Sequence, residues 1–289
     1  MQEKSRIKEP IGKAKPFSVG DFILKLYVLL FFLVLYSPII IVVIFSFNES
    51  PFSYFPFKKF TLHWYEAFFH NEDLMQAVFN SIKVGVVATV FSLIVGTLLA
   101  LAMDEFLFPL KGVFHRVSTW PITFPGVITG VALLLFCSFV KLDLSLLTVA
   151  IGHITFCIPV VYLEVLARLK SMDKSMVLAA IDLGASRWKA FFSVVLPNIK
   201  TALLGAALLA FTLSFDEIIV TIFLTGRDNT LPMQIWAMLR RGMTPEINAV
   251  GTMILVVSIT SLFIWERLRS RDMKLKEIQM AKARLGGVI

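Results

Sequence analysis

Apolar residues run through this chain in long blocks separated by short polar stretches. They show neither the alternation of a half-buried strand nor the narrow apolar stripe of a soluble amphipathic helix. Six blocks stand out, at 22–47, 76–102, 117–140, 146–167, 198–224 and 246–265. Each reaches the roughly 20 mostly apolar residues that a helix needs to cross a hydrocarbon core. Inside lipid only helices and closed barrels satisfy their own backbone groups, and these blocks are too long and too uniformly apolar for barrel strands. The predicted fold is therefore all-α: a polytopic membrane protein whose six transmembrane helices fill 22–265, with a basic tail at 1–21 and another at 266–289. The first block follows basic residues as a signal peptide would, but it is long and no small-residue cleavage site follows it, so it reads as a retained helix.

Composition agrees with this pattern. Hydrophobic residues make up 57% of the chain, 27 residues are Phe, and the mean hydropathy is +0.79; soluble domains hold about 45–50% apolar residues. The net charge of +8 is distributed with the topology. If both termini face the cytoplasm, the inner segments 1–25, 103–116, 168–200 and 266–289 carry 21 of the 28 Lys and Arg residues. That bias sets orientation in membrane proteins, so the basic character reports topology and gives no reason to expect a nucleic-acid partner. Cys137 and Cys157 fall inside predicted helices 3 and 4 and read as reduced packing residues. No nucleotide-binding glycine loop, zinc-protease motif or nucleophile elbow occurs, and the four histidines lack ligand spacing. The chain is expected to have no catalytic residues, to hold no metal and to hydrolyse no ATP itself.

The most informative polar interruption lies between blocks four and five. It reads Leu178-Ala179-Ala180-Ile181-Asp182-Leu183-Gly184, then after nine residues Val194-Val195-Leu196-Pro197. A short helix with Ala179, Ala180 and Leu183 on adjacent turns, ended by Gly184, is expected here. Ala185 and Ser186 follow, with Ser186 positioned to cap a second helix through Trp188, Phe191 and Phe192, and Pro197 is placed to begin the fifth span. This arrangement resembles the cytoplasmic coupling loop of ATP-binding-cassette importer permeases, whose pattern is Glu-Ala-Ala, three residues, Gly, nine residues, then aliphatic-x-Leu-Pro. Leu178 stands where that family usually has the glutamate, and Asp182, one turn later on the same face, is the candidate substitute. The resemblance implies that Ala179, Ala180, Asp182, Gly184, Ala185, Leu196 and Pro197 form the element through which ATP hydrolysis drives transport.

Ionisable residues within spans usually face a bundle interior or a watery cavity. Lys83 lies near the outer end of helix 2 and can snorkel. Glu164 lies near the inner end of helix 4, where coupling, structure and substrate contact are all open. Asp216 and Glu217 are adjacent, well inside predicted helix 5, and Thr212, Ser214 and Thr221 extend them into a polar strip. Two carboxylates there call for a cation, either a solute in passage or a group on another helix such as Lys83. Trp120, near Pro121 and Pro125 in an irregular part of helix 3, offers either an interfacial anchor or a face for an ammonium group, an attraction of about 0.5–2 kcal/mol. His153 reads as a hydrogen-bonded packing residue.

Further phrases narrow the resemblance. Leu213-Ser214-Phe215-Asp216-Glu217-Ile218-Ile219-Val220, Thr230-Leu231-Pro232, Gly152-His153-Ile154-Thr155-Phe156-Cys157 and Pro245-Glu246-Ile247-Asn248-Ala249 look like the permeases of polyamine importers. Several of those carry Pro-acid-x-Ile-Thr-Gly in helix 3, where this chain has Pro125-Gly126-Val127-Ile128-Thr129-Gly130. The resemblance implies a bacterial inner-membrane subunit that imports spermidine or putrescine. It also implies a second, non-identical permease, two cytoplasmic ATPases that use ATP and Mg, and an extracytoplasmic binding protein. A permease for another small solute (aminophosphonate, amino-acid-like compound or ferric ion) and a passive channel or scaffold are the alternatives. The outer loop 48–75 is too short to be a capture domain; its aromatic residues, Phe52, Tyr54, Phe55, Phe57, Phe60, Trp64 and Tyr65, read as an interfacial belt or a docking surface. The tail from Arg267 to Arg284 is either an amphipathic surface helix or a solvated positive segment.

Overall fold

The computed structural model describes residues 19–50, 55–242 and 244–260, with Phe263 and Arg267. Phe52, Tyr54, most of both tails and the end of the expected sixth span lie outside these residues. The described residues are helical, joined by short turns and a single antiparallel bridge between Asn48 and Phe60. They fall into two compact units, one of Met1–Tyr65 with Thr244–Ile289 and one of Glu66–Met243.

The first unit contains α1 (Val19–Ser46) and α12 (Pro245–Thr260). Along α1 only Phe45 and Ser46 are buried, as suits an apolar helix whose surroundings are lipid or another subunit. The loop after α1 is knotted by polar and aromatic contacts. The Trp64 indole N–H donates to the Asn48 carbonyl at 2.8 Å, the Asn48 side-chain oxygen accepts from Lys58 N at 3.1 Å, and the Ser46 and Tyr65 hydroxyls meet at 2.7 Å. Phe47 stacks on Phe60 with ring centroids 5.0 Å apart. These aromatics pack on one another, which gives the loop a small core of its own.

The second unit is built on α3 (Glu72–Glu105), α6 (Leu146–Ser171) and α9 (Leu196–Phe215). Asn71 caps α3 by accepting from Leu74 N at 3.2 Å, and Glu72 and Asp73 in the first turn favour the positive end of the helix dipole. At 34 residues α3 is about 51 Å long, ample for a crossing. Its Ala100 and Met103 share a buried core with Cys157, Val161, Tyr162 and Val165 of α6 and Ile199, Ala206 and Ala210 of α9. Small residues permit the close approach that membrane helices use in place of a hydrophobic drive. A Cβ on Gly96 would sit 2.9 Å from Val161 Cβ. Both cysteines are buried and free.

Four helices are long and apolar enough to cross singly: α1, α3, α6 and the continuous run Arg187–Phe215. A fifth crossing requires α4 (Lys111–Thr123) and α5 (Gly126–Phe139) together, bent by 100° at Phe124-Pro125. The sixth predicted span corresponds to α12, a shorter apolar helix within the described residues. Predicted helix 3, expected as one span over 117–140 with an irregular part near Pro121 and Pro125, is thus two helices. Pro125 disfavours helical backbone at Phe124 and has no N–H to give, and Phe124 is extended at φ −76°, ψ 141°.

Predicted helix 5, expected over 198–224, also departs from a single rod. It begins earlier, as α8 (Arg187–Ala190) and a π-turn (Phe191–Val195) leading into α9, and it stops at Phe215. Pro197 therefore does not start the helix. The widened turn ahead of it, closed by Leu196 N–H to the Phe191 carbonyl, carries the helix past a residue that lacks a donor. After the break at 216–218 comes α10 (Ile219–Leu224), then α11 (Leu231–Arg241).

Candidate functional site

The two broken helices meet. A Cβ on Gly126, the first residue of α5, would lie 3.3 Å from Ile219 Cγ2, and one on Gly130 would run into the Phe223 ring. Any side chain at 126 would press on Ile219, which would have to shift to receive it. The interruption of α5 thus packs beside the interruption that carries Asp216 and Glu217.

Asp216 and Glu217 do not lie within helix 5 as the sequence pattern suggested; they form its break. Asp216 is the cap residue that follows α9, with its N–H bonded to the Thr212 carbonyl at 3.1 Å, and its carboxylate is exposed with no hydrogen bond or ion pair among the described residues. The Glu217 carboxylate turns the other way and accepts from Val220 N at 2.9 Å, capping α10. One acid is therefore structural and the other free. The polar groups exposed by a break are tolerated at membrane depth only where protein or a watery cavity covers them.

A six-residue helix is not stable alone, and α10 is held at every level. Glu217 caps its start. The Thr148 hydroxyl of α6 reaches the Leu224 carbonyl at 2.8 Å, satisfying an acceptor at its end. Val220 and Leu224 lie so close to Gly152 of α6 that a Cβ there would clash with both. In the middle stands His153, wholly buried, with Nδ1 2.7 Å from Ser214 Oγ and Nε2 3.0 Å from Thr221 Oγ1.

The polar strip read from sequence is thereby divided. Ser214 and Thr221 are buried and bound to His153, so they are not lining groups. Thr212 is exposed and donates back to the Leu208 carbonyl at 2.8 Å. Trp120 is exposed on α4, one turn before the bend, with its ring tilted against Phe124 at 6.4 Å. Glu164 is exposed on α6. Among the described residues, no hydrogen bond or ion pair joins Trp120, Glu164 or Lys83 to the Asp216–Glu217 segment.

The segment after α6 forms a second feature. Asp173 accepts from Ser175 N at 2.9 Å and starts α7 (Ser175–Asp182), and these Ser175 hydrogen bonds hold its carboxyl below the ordinary 3.8. At the other end Gly184 takes φ +86°, Gly184 N–H bonds the Ile181 carbonyl at 2.8 Å, and Ala185 N–H bonds the Ala180 carbonyl at 3.0 Å. This is a full Schellman ending. Ser186 then accepts from Lys189 N at 3.3 Å to cap α8, as its position in the sequence suggested. Nothing on α7 is buried.

Leu178, Ile181, Leu183 and Trp188 are all exposed, the last two at 89% and 75%, so these short helices present bare apolar surface. Leu178 and Asp182 are both exposed, and Asp182 makes no ion pair among the described residues. Two ion pairs tie the segment to the end of α3: Lys174 to Asp104 at 3.0 Å and Arg187 to Glu105 at 3.3 Å. Arg168 also donates to the Asn198 carbonyl at 2.9 Å, joining the end of α6 to the start of α9.

A bundle of apolar helices with two adjacent breaks and an exposed, rigidly terminated loop helix is the architecture of a transporter subunit. The chain belongs to the family of binding-protein-dependent transport system inner membrane components, whose profile matches residues 92–274. It is thus a multi-pass inner-membrane subunit of an ATP-binding-cassette importer and not an enzyme. It is 36% identical over 266 residues to the putrescine transport system permease protein PotI of Escherichia coli (strain K12), covering 88% of this chain and 94% of that one. To the spermidine/putrescine transport system permease protein PotC of the same strain it is 34% identical over 254 residues, again covering 88% and 94%. Its fold is shared with a chain of a bacterial ABC transporter involved in the import of the acidic polysaccharide alginate, at a TM-score of 0.64 and 20% identity, covering 89% of this chain and 99% of that one.

Proposed function

We propose that this subunit moves polyamines, spermidine or putrescine, into the cytoplasm. The observation that carries the reading is Asp216: an exposed carboxylate at a helix break within an apolar segment, without a cationic partner among the described residues. A carboxylate in low dielectric strongly favours a nearby positive charge, and an alkylammonium solute supplies one in passage. The relatives named for putrescine and spermidine transport support the same class. Thr212, exposed one turn before Asp216, and the Trp120 ring are the other groups assigned to the path, with Glu164 nearer its inner end.

In this reading both termini are cytoplasmic and the segment 168–197 is the coupling loop. Its α7, carrying Ala179, Ala180 and Asp182 and ended by Gly184 and Ala185, lies in a groove of a cytoplasmic ATPase as a helix-in-groove contact. The bare apolar face of Leu178 and Ile181 suits such a groove. The continuous helix from Arg187 through Leu196 and Pro197 to Phe215 then carries a push at the loop to the break at Asp216. A second, non-identical permease completes the path, two ATPase subunits supply hydrolysis using ATP and Mg, and an extracytoplasmic binding protein delivers the solute. The exposed apolar length of α1 is surface for lipid and for that second permease.

Uptake of labelled putrescine and spermidine by cells carrying the complete transporter tests the assignment. Saturable uptake that disappears with an ATPase-dead partner is expected. An assembled, ATPase-active transporter that takes up neither polyamine would overturn it and point instead to another small solute.

A further inference from the structure

We infer that His153 is a positioning residue for transport: it joins the two halves of the broken fifth span and fixes the direction in which Asp216 is presented. This rests on the reading of Asp216 as the solute contact. His153 belongs to α6, Ser214 to the last turn of α9, and Thr221 to α10. One imidazole therefore bridges both sides of the break, at 2.7 Å to Ser214 Oγ and 3.0 Å to Thr221 Oγ1. All three side chains are buried.

The direction of these bonds follows from the proton each group holds. Thr221 Oγ1 donates its single proton to the Glu217 carbonyl at 3.0 Å. It can only accept from the imidazole, so Nε2 carries the hydrogen. In the neutral ring Nδ1 then accepts, and the Ser214 hydroxyl donates to it. The result is a directed chain from Ser214 through Nδ1 and Nε2–H to Thr221 and on to the backbone of Glu217. It ends on the residue whose carboxylate caps α10 and whose neighbour is Asp216.

Asparagine or a hydroxyl would be too short to reach both partners. Imidazole presents an acceptor and a donor on opposite sides of one rigid ring. Nothing else among the described residues hydrogen-bonds, through side chains, to both α9 and α10. Without that bridge α10 keeps its Glu217 cap, the Thr148 bond to the Leu224 carbonyl and its packing on Gly126, Gly130 and Gly152, and none of these ties it to α9. Buried polar chains that are fully satisfied specify one arrangement, and here the arrangement specified is that of the break.

The test uses the assembled transporter in proteoliposomes with its ATPase partners, reading KM and Vmax for putrescine separately from thermal stability. His153→Ala and Thr221→Val each interrupt the chain; the second keeps the shape of the side chain, so it answers the question if the first does not assemble. Each is expected to raise KM by about five-fold, the size of one net intramolecular hydrogen bond. The double variant is expected to be no worse than the worse single one, because both cut the same chain. His153→Gln, which keeps one acceptor and one donor, is expected to recover part of the loss. An unchanged KM in Thr221→Val, with only the melting temperature lowered, would reduce His153 to packing and overturn the inference. Asp216→Asn is run in parallel: normal uptake in that variant refutes the solute reading itself, whereas lost uptake there with an unchanged KM in Thr221→Val refutes only the role of His153.

Discussion

Replacing Gly184 by alanine tests the proposed coupling loop apart from every other part of the molecule. Gly184 has φ +86°, and a Cβ built on it meets nothing within 4 Å. The substitution therefore adds no clash and removes no side-chain contact. Its whole cost is that of holding an L-residue in left-handed backbone, about 1–2 kcal/mol. If the loop relaxes to avoid that cost, it loses the bonds from Gly184 N–H to Ile181 and from Ala185 N–H to Ala180, at 2.8 and 3.0 Å, and α7 frays at its C-terminal end, within the helix proposed to dock on the ATPase. A penalty of this size lowers the population of the docked geometry by about 5–30-fold. Gly205 in α9 is the matched control, because it also has open space around its Cβ position but has no left-handed backbone. There alanine should be neutral or stabilising by about 0.5–1 kcal/mol, the usual helix preference. The assay is co-purification of the ATPase together with solute-stimulated ATP hydrolysis in the reconstituted complex. Gly184→Ala should lose most of the stimulation while Gly205→Ala keeps it. Equal behaviour of the two variants would refute the claim that the ending of α7 transmits coupling.

Three further outcomes follow from other parts of the structure. Gly152→Ala should overpack the contact of α6 with Val220 and Leu224, costing about 1–3 kcal/mol, and should lower the melting temperature of the complex; an unchanged value would mean that α10 is not seated as described. Asp173 has a folded pKa below its ordinary value, so its cap on α7 is fully present above the usual carboxyl range and is lost as pH falls through the lowered value. Hydrogen-exchange protection of α7 should therefore step down only on that acid side, and Asp173→Asn should abolish the step. The Lys174–Asp104 pair is half exposed on the lysine side, so Lys174→Ala should cost no more than about 1 kcal/mol in a denaturation experiment; a larger loss would make the latch a structural keystone.

The sequence was informative where physics acts locally and less so where it acts between helices. Apolar blocks located α1, α3 and α6 to within a few residues but missed that the fifth helix begins at Arg187 and stops at Phe215, and Gly184 and Ser186 announced their turn and cap because those roles depend on backbone conformation at one position. Pro121 and Pro125 marked helix 3 as irregular, although the 100° bend after Phe124 was not foreseen. The break in helix 5 had no such sign. Phe215-Asp216-Glu217-Ile218 contains neither proline nor glycine, and the contacts that seat α10 beyond the break are tertiary: His153, Thr148 and the close approach to Gly152. The acidic pair, costly inside a helix in lipid, pointed by its spacing to a cation and not to a break. For the same reason Ser214 and Thr221 looked like path residues from their spacing. They became supports once His153 was seen between them.

The central claim, that an unpaired carboxylate at a helix break meets the cationic solute, is tested most directly by comparing Asp216→Asn with Glu217→Gln in the complete, assembled transporter. Putrescine uptake should be nearly lost in Asp216→Asn, which removes the charge from the free acid. It should persist in Glu217→Gln, whose side-chain oxygen can still accept from Val220 N. Uptake that survives in Asp216→Asn and fails in Glu217→Gln would contradict the account and place the solute at the other carboxylate.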